Sequence, residues 1–222
     1  MDCIYIPLGI DCSIAYQLNK HGLRYFALPF DWSYTKNLLN IIELIDNEFS
    51  NFLPANNTID ELRKLYEIIE IKTNNYLLGQ PFELLEQTQT EQTQTEQTQS
   101  VQIEQTQTYS KYKLKHKKYN LILPHEFATI NDEQIQIFID KYKRRIDRFY
   151  KLNQHSQLIF IRLGTKKDLK YIDLLNETIK NKFNETKYLI KFINLTDLSA
   201  LNGPITTNWK RDEYDWLSIF DV

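Results

Sequence analysis

The chain has 222 residues, 42% hydrophobic and 25% charged, with a formal net charge of −2 at pH 7. That composition fits a globular protein able to bury a core, and so small a net charge excludes a whole-molecule field demanding nucleic acid or anionic lipid. Two cysteines cannot build a disulfide framework, no stretch approaches the ~18 apolar residues that cross a bilayer, and the start lacks a secretory pattern, so a cytoplasmic protein with free thiols at Cys3 and Cys12 is expected.

Residues 4–8 (Ile-Tyr-Ile-Pro-Leu) read as a short buried strand ended by Gly9. From Cys12, the residues Ile14, Ala15 and Leu18 recur at helical spacing as far as Gly22, a fitting C-terminal glycine. An aromatic connection, 23–32, leads into a helix over 36–49, with Leu38, Ile41, Ile42, Ile45 and Phe49 on one face. The pair Thr58 and Glu61 predicts a capping box for a third helix running through Leu62, Leu65 and Ile69. Residues 86–108 then change character, being built from Glu-Gln-Thr-Gln-Thr pentads. A pentad matches neither helix nor strand period and offers almost nothing apolar to bury, so this low-complexity segment reads as a disordered surface insert within a single domain, 1–222.

After the insert, strands are predicted at 121–123, 158–163 and 188–193, separated by helices at 132–150 and 167–183. Near-continuous apolar strands alternating with long helices indicate parallel crossovers. The predicted fold is therefore α/β, three-layered, with a mostly parallel sheet of at least four strands and helices on both faces. Ligands in such sheets sit at the carboxyl ends of the strands. The Gly9–Cys12 turn, His125 and Arg162 all fall at or beyond such ends.

Cys12 stands between a strand and a helix start, where unpaired amides and the helix dipole favour a thiolate. Reactivity below pH 8 is the corresponding expectation. The bland alternative is a small buried apolar residue, the usual fate of a free cysteine. Cys3 lies inside the strand and is assigned no role. Of the four histidines, only His125 follows a buried strand; the alternative there is an edge histidine that merely satisfies a loop. His116 sits within a lysine cluster. Neither a metal-binding set nor a phosphate-binding glycine loop is present, so no cofactor is expected. Lysines 111, 113, 115, 117 and 118 interleave with Tyr109, Tyr112 and Tyr119. A nucleic-acid stripe would look similar, but the solvated end of the insert, from Lys111 to Lys118, is the preferred reading.

Two blocks carry a specific resemblance. Leu8-Gly9-x-Asp11-Cys12-x-x-Ala15-Tyr16-x-Leu18, with Leu23-Arg24 and Ala27-Leu28-Pro29-Phe30-Asp31-Trp32, is followed downstream by His125-Glu126-Phe127. The chain resembles a family of "putative papain-like cysteine peptidases" found in bacteria and large DNA viruses; a viral member would act in the host cytoplasm. The resemblance implies a nucleophile at Cys12, a base at His125 and a peptide or acyl substrate. Backbone amides at the helix start, in the turn of Gly9 and Asp11, are implied to hold the oxyanion. The third, orienting member stays open among Asp31, Glu126 and Asp215, with Asp31 favoured. Papain-like folds carry the histidine on an antiparallel sheet, whereas the periodicity here predicts a parallel one. Two alternatives stand beside this reading. One is an SGNH-like esterase with Cys12 in the serine position, although the late Asp-x-x-His of that family is missing. The other is a non-catalytic interaction module using the aromatic segments 26–32 and 209–216.

Overall fold

A computed structural model describes residues 3–74, 108–155, 157–184, 186–195 and 209–221. Three strands form a parallel sheet in the order β1 (Cys3–Pro7), β5 (Gln157–Gly164), β6 (Tyr188–Asn194). β5 is central and buried at every residue after its first, which explains its unbroken apolar run Leu-Ile-Phe-Ile. A second sheet is antiparallel, in the order β2 (Tyr66–Asn74), β3 (Thr108–His116), β4 (Ile122–Phe127).

Helices cover both faces of the parallel sheet. On one side Ile14 and Leu18 of α1 (Ser13–Lys20), with Trp216 and Phe220 of α6 (Trp216–Phe220), pack on Ile159, Ile161 and Leu163. On the other, Ile4, Ile6, Leu158 and Phe160 meet α2 (Leu38–Asp46), α4 (Asp132–Tyr150) and α5 (Ile172–Lys182). The same core takes Leu114, Leu121, Leu123 and Phe127 from the antiparallel sheet, so one continuous apolar interior joins the two sheets. Helix starts are set by short polar side chains. Asn37 accepts from the Leu39 amide, Thr58 from Glu61 at the head of α3 (Ile59–Leu65), and Asn131 from Gln134.

Three expectations are corrected. The α/β class and the helices on both faces hold, but among the described residues the parallel sheet has three strands rather than at least four. The run 121–123 pairs instead with β3, and its neighbour on the other edge is Tyr34. The third helix stops at Leu65, and Ile69 lies in β2. Tyr66-Glu-Ile-Ile-Glu-Ile is rich in β-branched and aromatic residues, and its long antiparallel partner β3 settles it as strand. Lys111, Lys113 and Lys115 are strand residues, not the end of an insert. Their alternation with Tyr112, Leu114 and His116 is a period of two. Of the expected insert, Thr108 pairs with Asn74 at the end of the ladder, and 86–107 lie outside the described residues.

Candidate active site

The turn after β1 is built on Gly9, whose φ is +68°; a Cβ there would press on Thr35 Cγ2 at 3.1 Å and Ser33 Oγ at 3.4 Å. Ile10 follows at φ 129°, a conformation β-branched residues rarely adopt, and it persists because both flanks are tied down. Leu8 donates its amide to the Ile161 carbonyl, while the Ile10 carbonyl accepts from the Thr35 amide. Behind the turn, the fully buried Arg162 donates to the carbonyls of Leu8 at 2.9 Å and Thr35 at 3.3 Å, and pairs with Asp168 at 3.1 Å. The other Asp168 oxygen accepts from the Leu38 amide, so one ion pair fastens the end of β1, the 35 loop and the start of α2.

Asp11 turns back onto the helix start. Its Oδ1 accepts from the Ser13 amide at 2.9 Å and from the Ser13 hydroxyl, and its Oδ2 accepts from Arg211 at 2.8 Å. Cys12 thereby heads α1 without its side chain capping the helix, 8% exposed.

The histidine arrives from the other sheet through a bulge. Tyr112 pairs with Phe127 and Leu114 with Leu123, so Lys113 alone faces Pro124, His125 and Glu126. Two extra residues there re-aim the strand, and the proline, which has no amide to give to a ladder, fits such a break. Glu126 turns inward to Lys141 and to the Tyr142 hydroxyl at 3.1 Å, whereas His125 is exposed. Tyr34, bonded in both directions to Ile122, links β4 to Thr35 and hence to the Cys12 turn. The result brings Cys12 Sγ to 3.9 Å from His125 Nε2, across 113 positions of sequence.

Residues 3–198 match the sequence family described as "Putative papain-like cysteine peptidase". The chain belongs to that family. It is also 27% identical over 249 residues to an uncharacterized protein of Acanthamoeba polyphaga mimivirus, the alignment covering 98% of this chain and 97% of the viral one. No solved structure matches. Cys12 stands at a helix start and faces a histidine on an antiparallel sheet. The periodicity had put His125 at the end of a parallel strand; it lies instead within a bulged antiparallel one.

Electrostatics at the pair run against the expected thiolate. Burial, then the carboxylates of Asp11 and Asp31, push the Cys12 thiol up to about 12. Second to burial comes Asp11, whose carboxylate already occupies the first amide of α1. Burial lowers the His125 pKa; Glu126 acts in the opposite direction, and Lys111 and Lys113 add to the lowering. At neutral pH the resting pair is a thiol beside a neutral imidazole.

Asp31 is buried close to the site, but among the described residues it has no hydrogen bond to His125. Its Oδ2 accepts from Arg24 Nε at 2.9 Å, Arg24 Nη2 at 2.6 Å and the Leu28 amide at 3.0 Å. Asp215 spends its carboxylate on the Ser218 amide of α6. Among the described residues no group of three or more His, Cys, Asp or Glu is arranged to hold a metal ion. Sequence reasoning quoted Arg24 without giving it a role, and passed over Arg211 and the pairing of Arg162 with Asp168. The available signal was Arg162 itself, a charge inside an apolar run that must find a buried partner.

Proposed function

We propose that this member of the family is a cysteine-dependent hydrolase of peptide or acyl substrates, with Cys12 as nucleophile and His125 as its base. The observation that carries the reading is the 3.9 Å approach of Sγ to Nε2 from two separate sheets. That separation is within the range that tightens on substrate binding. With the thiol protonated at rest, the base acts during attack. Nε2 removes the Sγ proton as sulfur bonds to the acyl carbon, and the carbonyl electron pair moves to oxygen. This requires the tautomer with its proton on Nδ1.

The Cys12 amide, which among the described residues has no hydrogen-bond partner, is the donor proposed for that oxygen. Collapse of the adduct expels the leaving amine or alkoxide, which takes the proton held on Nε2, and leaves a thioester. Water then attacks the thioester carbon, giving its proton to Nε2. Departure of Sγ, reprotonated from Nε2, releases the acid and restores the pair. Gly9 and Asp11 shape the turn, Glu126 holds the bulge, and Asp31 supports the 28–32 turn through Arg24.

A panel of fluorogenic peptidyl amides and acyl thioesters tests the assignment. Cys12→Ala should abolish turnover, and His125→Ala should lower kcat by about 10²–10⁴-fold. Hydrolysis that survives Cys12→Ala would sink the reading. The non-catalytic alternative draws support from the high pKa and burial of the same thiol. It requires that no electrophilic peptide probe label Cys12 faster than it labels the His125→Ala variant.

A further inference from the structure

Beside the Cys12–His125 pair lies a row of like charges that the hydrolase reading leaves without a task. On β3, Leu114 is fully buried and Tyr112 packs against the core, so the alternate residues Lys111, Lys113 and Lys115 share the opposite face. Lys113 stands across the bulge from His125. Lys111 and Lys113 are both close enough to oppose a charge on the His125 ring, and neither belongs to any ion pair among the described residues. One step further along the strand, Lys115 pairs directly with Ile122, and these two help line a cavity of about 410 Å³ together with Tyr34 and Lys36. Lys115 is held by Glu67 at 3.3 Å; Lys36 is exposed and has no ion pair among the described residues. The cavity thus flanks the reacting pair, roughly 7 Å along the strand from Lys113 at two residues' rise. Tyr34, which lines the cavity, bonds through its backbone to Ile122 and precedes the Thr35 that holds the Ile10 turn.

The geometry points to an acidic substrate: an extended peptide chain with carboxylates two or three residues from the acyl group attacked by Cys12, met by Lys113 and Lys111 at the bulge and by Lys36 in the cavity. This deepens the hydrolase reading and rests on it for the position of the scissile bond. Two or three residues of an extended chain span roughly 7–10 Å, which is the register proposed here between the attacked acyl group and the carboxylates. A polynucleotide would use the same charges, but it needs aromatic faces beside them on which bases stack. Here Tyr112 lies on the other side of the strand and Tyr119 is 1% exposed, which among these described tyrosines leaves Tyr34 beside the lysines, one ring where a run of bases needs several.

Binding and reaction are separable experiments. Dye-labelled tetrapeptides with Glu, Gln or Lys two and three residues before a C-terminal amide are titrated into the full-length protein and followed by anisotropy. The Glu peptide should bind at least about tenfold tighter than the Gln peptide at low salt, and the difference should shrink as salt screens it. Lys111→Gln/Lys113→Gln should remove the difference, and Lys111→Glu/Lys113→Glu should turn preference toward the Lys peptide. Equal affinity for the Glu and Gln peptides, or a preference untouched by the substitutions, overturns the inference. Displacement of the Glu peptide by a mixed-sequence RNA at lower concentration also overturns it, in favour of a nucleic-acid face. The same peptides as chloromethyl ketones, read by intact mass, report on Cys12. Selective binding without Cys12 labelling removes the hydrolase reading and leaves the acidic-chain surface standing.

Discussion

At the scale of single residues, the Gly-x-Asp-Cys turn separates two effects that a helix start usually joins. The dipole and free amides of a helix N-terminus lower the pKa of a thiol placed there. Here burial keeps the Cys12 proton in place, and the charges of Asp11, which takes the first amide, and of Asp31 add to it. Alkylation of Cys12 by iodoacetamide should therefore climb with pH through the neutral range and past pH 9, with no plateau below pH 8. Because Asp31 raises this thiol, Asp31→Asn should shift the profile to lower pH and quicken labelling at pH 8. A role for Asp31 in orienting His125 would instead lower turnover with the profile unmoved. Peptide mapping across a pH series, with Cys3 quantified in the same digest, distinguishes the two outcomes.

Among the elements, the site depends on how β1, the 33–38 segment and β4 are joined rather than on any one of them. Arg162 reaches two carbonyls from the middle of β5, and Asp168 answers its charge while accepting the first amide of α2. Their side chains are 0% and 3% exposed, so neither finds water if the other is removed. Asp168→Ala should cost about 3–5 kcal/mol in urea unfolding, the magnitude for stranding a buried charge. A loss below about 1 kcal/mol would mean that the guanidinium is satisfied by backbone alone. β4 shows the complementary device, since its bulge aims consecutive residues at different partners. Glu126 goes to Lys141 and Tyr142 inside, and His125 to Cys12 outside.

For the whole molecule, acid sensitivity is set by a histidine in the core. His116 is 2% exposed, ringed by Phe52, Tyr66 and Tyr119. Its Nδ1 accepts from the amides of Lys118 and Tyr119, so the proton sits on Nε2 and is donated to the Asn51 carbonyl at 3.0 Å. Burial lowers its pKa from the ordinary 6.5. Below 6.5 the unfolded chain binds a proton that the folded one resists. Stability is therefore fully present above that pH and is lost as pH falls through the lowered value. The urea midpoint should drop between pH 7 and pH 5, and His116→Gln, which keeps a donor toward Asn51, should flatten that limb. His125 shifts in the same direction. Asp31, whose carboxyl is raised by burial, acts in the opposite sense, over the interval from its ordinary 3.8 up to the raised value.

Local chemistry was enough to read the α/β class, the strands at 4–8, 158–163 and 188–193, and the long helix at 132–150. Each of those rests on periodicity over a few turns or on a motif within one short segment, and such signals survive in isolation. The partner of each strand was not legible. The run 121–123 is apolar enough for either kind of sheet, and only its pairing with β3 and Tyr34 makes it antiparallel. β2 and β3 were missed for the same reason: one resembled a helix tail, the other a charged linker, until each became the other's ladder. The bulge that turns His125 toward Cys12 exists only as a mismatch of register between two strands. The anchoring of the Leu8 and Thr35 carbonyls by Arg162, and of the Leu38 amide by Asp168, likewise depends on backbone groups brought together from β1, β5 and α2. Sequence determined which side chains were available; long-range pairing, through geometry and the exclusion of water, decided which of them face one another and in what state of charge.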